Sequence, residues 1–267
     1  MALTLDAVSI TAADPARALD GYTSTFAPSL TDGGEVAVLD LHGRGRLELD
    51  QTPGTAPSPG TVPSGFDGYV LTYLVEQPSD VRAVMQAAAG AGAQELKPAK
   101  KALFGSFSGV FRAIDGSVWK VAAGTRKDSD PAASTPRPTE TTLILGVGEP
   151  TTSRAFYEAL GLVPDRDYGS KYIDFAPLPG ATRLCLMQHP VLAKDVGVGP
   201  QGSAGTEGRS GSALTLRHRA ATPAAVDALL DSAAAAGGAV TTPGDATDHG
   251  YRGVFTDPDG FRWLVST

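Results

Sequence analysis

Few side chains in this sequence that can bind or move protons stand at informative spacings. RLELDQ sets Arg46, Glu48 and Asp50 at alternate positions, so a strand there carries all three on one face. A carboxylate such as Glu48, held within about 3 Å of a substrate proton, can act as a general base. In SVWKV, Val118 and Lys120 share one strand face and Trp119 takes the other. A lysine in a partly dry pocket suits an anionic or carbonyl-bearing ligand. The run KPAKKALFGSF places Phe104 and Phe107 beside small residues, with Lys100 and Lys101 close by. Such aromatics offer flat surface for stacking and the lysines offer charge; the alternative is a loop whose phenylalanines pack on a sheet.

The histidines, His42, His189, His218 and His249, form no pair at a ligand spacing. His189 precedes a proline in a turn and His42 ends a strand beside Gly43, so both read as surface residues. His218, in LTLRHR between Arg217 and Arg219, reads as a strand-edge residue or one with a satisfied partner, and facing a cavity is the other option. Cys185 sits in an apolar strand with no base near it in sequence, the pattern of a buried, inert thiol. Gly-x-Ser-x-Gly, Walker and dinucleotide-binding patterns are missing, so serine-nucleophile and nucleotide chemistry have no starting point.

The 267 residues suffice for two small domains. With 29 acidic against 22 basic residues and no basic block, nucleic acid and anionic membranes are poor partners. A lone cysteine, the lack of a signal-peptide pattern at the N-terminus and the lack of a membrane-spanning run together predict a cytoplasmic protein.

The elements that must position these groups come from an internal repeat. Shifted by 144 residues, FSGVFRAIDGSVWKVA lies over YRGVFTDPDGFRWLVS with seven identical pairs, among them Gly109/Gly253, Asp115/Asp259, Gly116/Gly260 and Trp119/Trp263. Chance gives about one. Residues 1–123 and 140–267 therefore read as duplicated domains, joined by the Pro- and Ser-rich linker 124–139. Each half repeats a strand, a helix and three strands. Helices are predicted from about Asp14, Ser79, Thr151 and Thr222, each with an apolar stripe or a proline start, and Asp-Gly turns join the final strands. Four βαβββ modules of α+β class follow. Alternation turns Trp119 and Trp263 toward the covering helices, as core.

Four such modules, ending in Asp-Gly-x-x-Trp hairpins, resemble the vicinal oxygen chelate superfamily of glyoxalase, bleomycin-resistance and extradiol-dioxygenase proteins. The resemblance implies paired modules curled into open-barrel sheets with helices outside, each pair enclosing a cavity for a small molecule. It also implies divalent-metal positions. They fall on Ala7 and Thr142 in the first strand of each half, on Glu48 and Cys185 in the fourth, near Tyr69 or Val70 and Ala213 or Leu214 in the fifth, and on Lys120 and Leu264 after the tryptophan. Only Glu48 carries a clear ligating group, so no metal or other cofactor is expected. His249 falls on the loop that lines the cavity mouth in the family.

The expectation is a metal-free protein that sequesters a small aromatic or hydrophobic molecule, with Lys100, Phe104, Phe107, Lys120 and His249 as ligand contacts. The alternative is a glyoxalase-type lyase or isomerase using Glu48 as base, with or without a metal; a third is an interaction module with a filled pocket. Monomer or homodimer, and module pairing within or across the halves, stay open.

Overall fold

A computed structural model describes residues 2–32, 36–50, 66–101, 106–199, 213–248 and 250–267. The first module comprises β1 (Ala7–Thr11), α1 (Pro15–Phe26), β2 (Ser29–Asp32), β3 (Val36–Asp40) and β4 (Arg46–Asp50). The second comprises β5 (Tyr69–Val75), α2 (Pro78–Gly90), β6 (Gln94–Lys101), β7 (Phe107–Arg112) and β8 (Val118–Ala123). In the third, β9 (Glu140–Val147), α3 (Pro150–Ala159), β10 (Pro164–Asp167), β11 (Ile173–Phe175) and β12 (Arg183–Gln188) are followed by an additional helix, α4 (His189–Val196). The fourth comprises β13 (Leu214–Arg219), α5 (Pro223–Ala235), β14 (Ala239–Thr247), β15 (Gly250–Thr256) and β16 (Arg262–Ser266).

The module helices start alike because each places a proline where the helix has no bond for its missing amide. Asp14, Glu149 and Thr222 accept from the backbone amides of Arg17, Thr151 and Ala225, satisfying one orphan donor each. Gln77 makes no such cap before α2; its side-chain oxygen instead accepts from the linker amides of Ser129 and Asp130.

Two eight-stranded sheets form, in the orders β14-β15-β16-β13-β1-β4-β3-β2 and β10-β11-β12-β9-β5-β8-β7-β6. The first joins the first and fourth modules, the second joins the second and third, so pairing runs across the halves. The seams are antiparallel: β1 on β13 with Ser9 opposite Thr215, and β5 on β9 with Thr72 opposite Thr142. Each half is held together through its helices, α1 against α2 and α3 against α5. Hydroxyls lock those contacts. Tyr22 donates to Asp115 at 2.5 Å and Tyr157 to Asp257 at 2.6 Å, and burial raises both phenol pKa values well above normal. Under them lie Trp119 and Trp263, fully buried on the helix side as alternation predicts.

The repeated glycines have two physical reasons. Gly116 and Gly260 take the left-handed conformation (φ 92° and 87°) in the Asp-Gly turns. Gly109 and Gly253 let a helix close onto the sheet: a Cβ would lie 2.9 Å from the Met85 sulfur in one and 2.5 Å from a Leu230 methyl in the other. No described helix is long and apolar enough to cross a membrane.

Candidate functional site

Each sheet has one face against the helices and one turned away from them. On the second sheet the far face is apolar, formed by Val70, Val110, Val118, Ile144 and Cys185, and α4 lies on it through Leu192, Ala193 and Val196. The helix is short but well specified: Pro190 stands in its first turn, and Gly197 ends it at φ 79°. His189, expected in a surface turn, instead opens this helix and is 2% exposed, because α4 carries it onto Gly146 and Phe66. Lysines fasten the other end. The Lys97 ammonium donates to the carbonyls of Lys194 and Asp195 at 2.9 and 2.5 Å, where the helix dipole favours a cation. Lys120 pairs with Asp195 at 2.6 Å. This cavity is filled by the protein's own side chains.

Sequence candidates that fall on the second sheet therefore have other partners. Lys120 holds α4 rather than lining an open pocket. Phe107 turns to the helix side, 8% exposed and beneath the Arg82 guanidinium, whose carbon is 4.7 Å from the ring centre, so it is packing and not rim. Lys100 is solvent-exposed on β6, opposite Ser108. Cys185 is fully buried, and its sulfur accepts from the Tyr172 hydroxyl at 3.2 Å; burial pushes the thiol up to about 12. Phe104 and His249 lie outside the described residues.

On the first sheet Val8, Ile10, Leu47, Leu49, Leu216 and Trp263 are buried toward the helices. Alternation sends Ser9, Glu48, Thr215, Arg217, Arg262 and Leu264 to the far face. There the seam brings Glu48 and Arg217 together, with Arg217 Nη1 at 2.5 Å from Glu48 Oε2. Both are partly buried, at 17% and 29% side-chain exposure. Arg262 donates to the Thr215 hydroxyl at 3.3 Å. Burial and the like charges of Arg252 and Arg217 lower the Arg262 guanidinium's pKa. His218 is on the opposite side: 3% exposed, with Nδ1 against the Thr4 hydroxyl and amide at 2.9 and 3.2 Å and Nε2 without a partner among the described residues. Among the described residues nothing equivalent to α4 covers this face.

The arginines were missed by reasoning that looked for metal ligands. Their signal was present, since Arg217 follows Leu216 and Arg262 precedes Trp263, residues whose burial fixes the face of their neighbours. The implied metal positions of this sheet lie on four neighbouring strands, Leu264 on β16, Leu214 on β13, Ala7 on β1 and Glu48 on β4. The donors do not fit a divalent ion. Ala7 and Leu264 offer none, Leu214 points into the core, and the Glu48 oxygen is against a guanidinium. Among the described residues no three His, Cys, Asp or Glu side chains converge on a common centre. A second cleft, between α1 and the β7–β8 turn, is lined by Ala18, Gly21, Ala91 and Ile114, and its one hydroxyl of note, Tyr22, is spent on Asp115.

Paired βαβββ modules, open sheets and a polar far face define a module-duplicated α+β protein of the glyoxalase-like class. Residues 141–265 match the model of the Glyoxalase/Bleomycin resistance protein/Dioxygenase superfamily. The match is confined to this half, and the first half repeats the same βαβββ modules. Glyoxalase I from Zea mays is similar over 99% of this chain and 92% of its own, with a TM-score of 0.63 and 17% identity. A putative dioxygenase from Bacillus subtilis aligns over 100% and 85%, with a TM-score of 0.63 and 12% identity. At those identities the likeness is one of fold. No curated protein matches the chain.

Proposed function

We propose that this protein binds a small molecule, without a metal, on the far face of the first sheet, in a sequestering role of the bleomycin-resistance kind. The observation that carries the reading is the contact between Glu48 and Arg217: a guanidinium stands against the one carboxylate left at the implied metal positions. A cation already held by the protein would repel a divalent ion and removes the electrostatic reason for one. Glyoxalase-type proton abstraction by Glu48 is the weaker reading, because its enclosed oxygen faces Arg217 instead of open space. The second sheet supports binding less, since α4 fills its cavity. Four modules in one chain complete both sheets, so the proposed binding unit is a monomer, and the proposed compartment is the cytoplasm.

The test is elemental analysis of the purified protein after growth with Ni, Zn, Mn and Fe, followed by calorimetric ligand screening with and without EDTA. The expected result is no stoichiometric metal and binding indifferent to EDTA. Stoichiometric metal that disappears in Glu48→Ala would reverse the reading in favour of catalysis.

A further inference from the structure

We propose that the far face of the first sheet is an organic-anion site, in which Arg217, Arg252 and Arg262 grip a carboxylate or phosphate group. The inference rests on the ligand-binding reading above and adds the ligand's chemical class.

Strand register places the three guanidinium groups on one face. Arg217 is opposite Leu264, Arg252 is opposite Ser266, and Arg262 alternates with buried Trp263. Among the described residues only Glu48 forms an ion pair with any of the three. Arg217 is partly buried and Arg252 and Arg262 are exposed, and three like charges on one sheet face repel each other, most strongly at the less hydrated Arg217. They stand together in a chain whose net charge is −7, so no excess of base forced them there. An anion relieves that repulsion, and the planar guanidinium fork matches the paired oxygens of a carboxylate or phosphate.

Two further features shape the site. Glu48 Oε2 is enclosed against Arg217, so it steadies that guanidinium. Val254 pairs with Leu264 across β15 and β16, giving an apolar strip beside the charges for the ligand's carbon body.

The experiment is an amide NMR titration of the full-length protein with phthalate, phenyl phosphate and the neutral phthalamide. Phthalate or phenyl phosphate is expected to shift β4, β13 and β16 amides, and which of them binds tighter tells a carboxylate from a phosphate ligand. Phthalamide is expected to leave them in place. Arg262→Gln and Arg252→Gln are each expected to weaken binding about tenfold, as loss of one charge-assisted contact does. Arg166→Gln on the other sheet leaves it unchanged. Arg262→Gln is also expected to raise the thermal midpoint of the ligand-free protein, whereas an arginine with a structural role alone would lower it. If phthalamide binds as well as phthalate, or Arg262→Gln keeps full affinity, the anion inference falls and the ligand-binding reading survives. If no probe shifts any amide of this face, both fall.

Discussion

The contact between Glu48 and Arg217 can be measured as a coupling energy. The pair lies between two regimes: exposed ion pairs are worth about 0–1 kcal/mol, and breaking a fully buried one costs about 3–5 kcal/mol. With 17% and 29% exposure and a 2.5 Å approach, the coupling expected here is about 2 kcal/mol. Arg217→Met keeps the aliphatic stem but strands the Glu48 carboxylate. Glu48→Gln keeps the shape but leaves Arg217 facing Arg262 without compensation. The double variant removes both problems, so it should be less destabilised than the sum of the two. Urea unfolding followed by tryptophan fluorescence suits the measurement, because Trp119 and Trp263 are both fully buried and report one sheet each. A coupling within about 0.3 kcal/mol of zero would mean the pair is screened by water. The argument that a guanidinium has taken over the electrostatic role of a metal there would then be refuted.

Three more outcomes follow from the geometry. The Cys185 thiol, pushed up to about 12 by burial, ionises more readily in the unfolded chain, so its contribution to stability is complete below about pH 9 and is lost as pH rises toward 12. Cys185→Ala should flatten that alkaline loss in pH-dependent unfolding, and the native thiol should resist a thiol-specific dye at pH 8 until the protein is denatured. Gly253→Ala should cost about 1–3 kcal/mol in urea unfolding, since its Cβ meets Leu230 at 2.5 Å and backbone at 3.2 Å, whereas Gly109→Ala should cost less because only the flexible Met85 side chain must move. Leu192→Ala should cost about 2–5 kcal/mol and raise the binding of a hydrophobic fluorescent dye, because it loosens α4 from the apolar face beneath it; unchanged dye binding would mean that α4 does not hold that face closed.

Much of this fold is legible in the sequence because its signals are local. Proline-led helix starts, apolar stripes and Asp-Gly turns each fix a few residues, and the period of two fixes which face a tryptophan takes. Module pairing is not local. The seam residues Ser9 and Thr215, or Thr72 and Thr142, say nothing of their partner, and the same module text occurs in both halves. The helix α4 was hidden for a different reason: at eight residues, its Pro start and Gly end read equally well as a turn. Missing it cost the position of His189 and the role of Lys120 together, since both depend on what covers the second sheet. Glu48 was found in the text, but its partner was not, because Arg217 reaches it from the other end of the chain across the β1–β13 seam.

Duplication gave the protein two equivalent far faces, and among the described residues a helix lies on only one of them. Shifting the sequence by 145 residues places Arg217 over Thr72, and the strand position of Glu48 is filled by Cys185 in the other half. Thr72 and Cys185 carry no charge and are small enough to lie under an apolar helix, although the Thr72 hydroxyl is buried with no partner among the described residues, a cost of about 1–3 kcal/mol. The same helix laid over Glu48 and Arg217 would have to strip water from an ion pair and from two further arginines, which costs several kcal/mol per ion. Leucine and valine side chains cannot repay that. Among the described residues a helix therefore lies on the face whose central Lys120 is answered by Asp195 of that helix, and none lies on the face that carries Glu48 and the arginines, so the two sheets could diverge in use without diverging in fold.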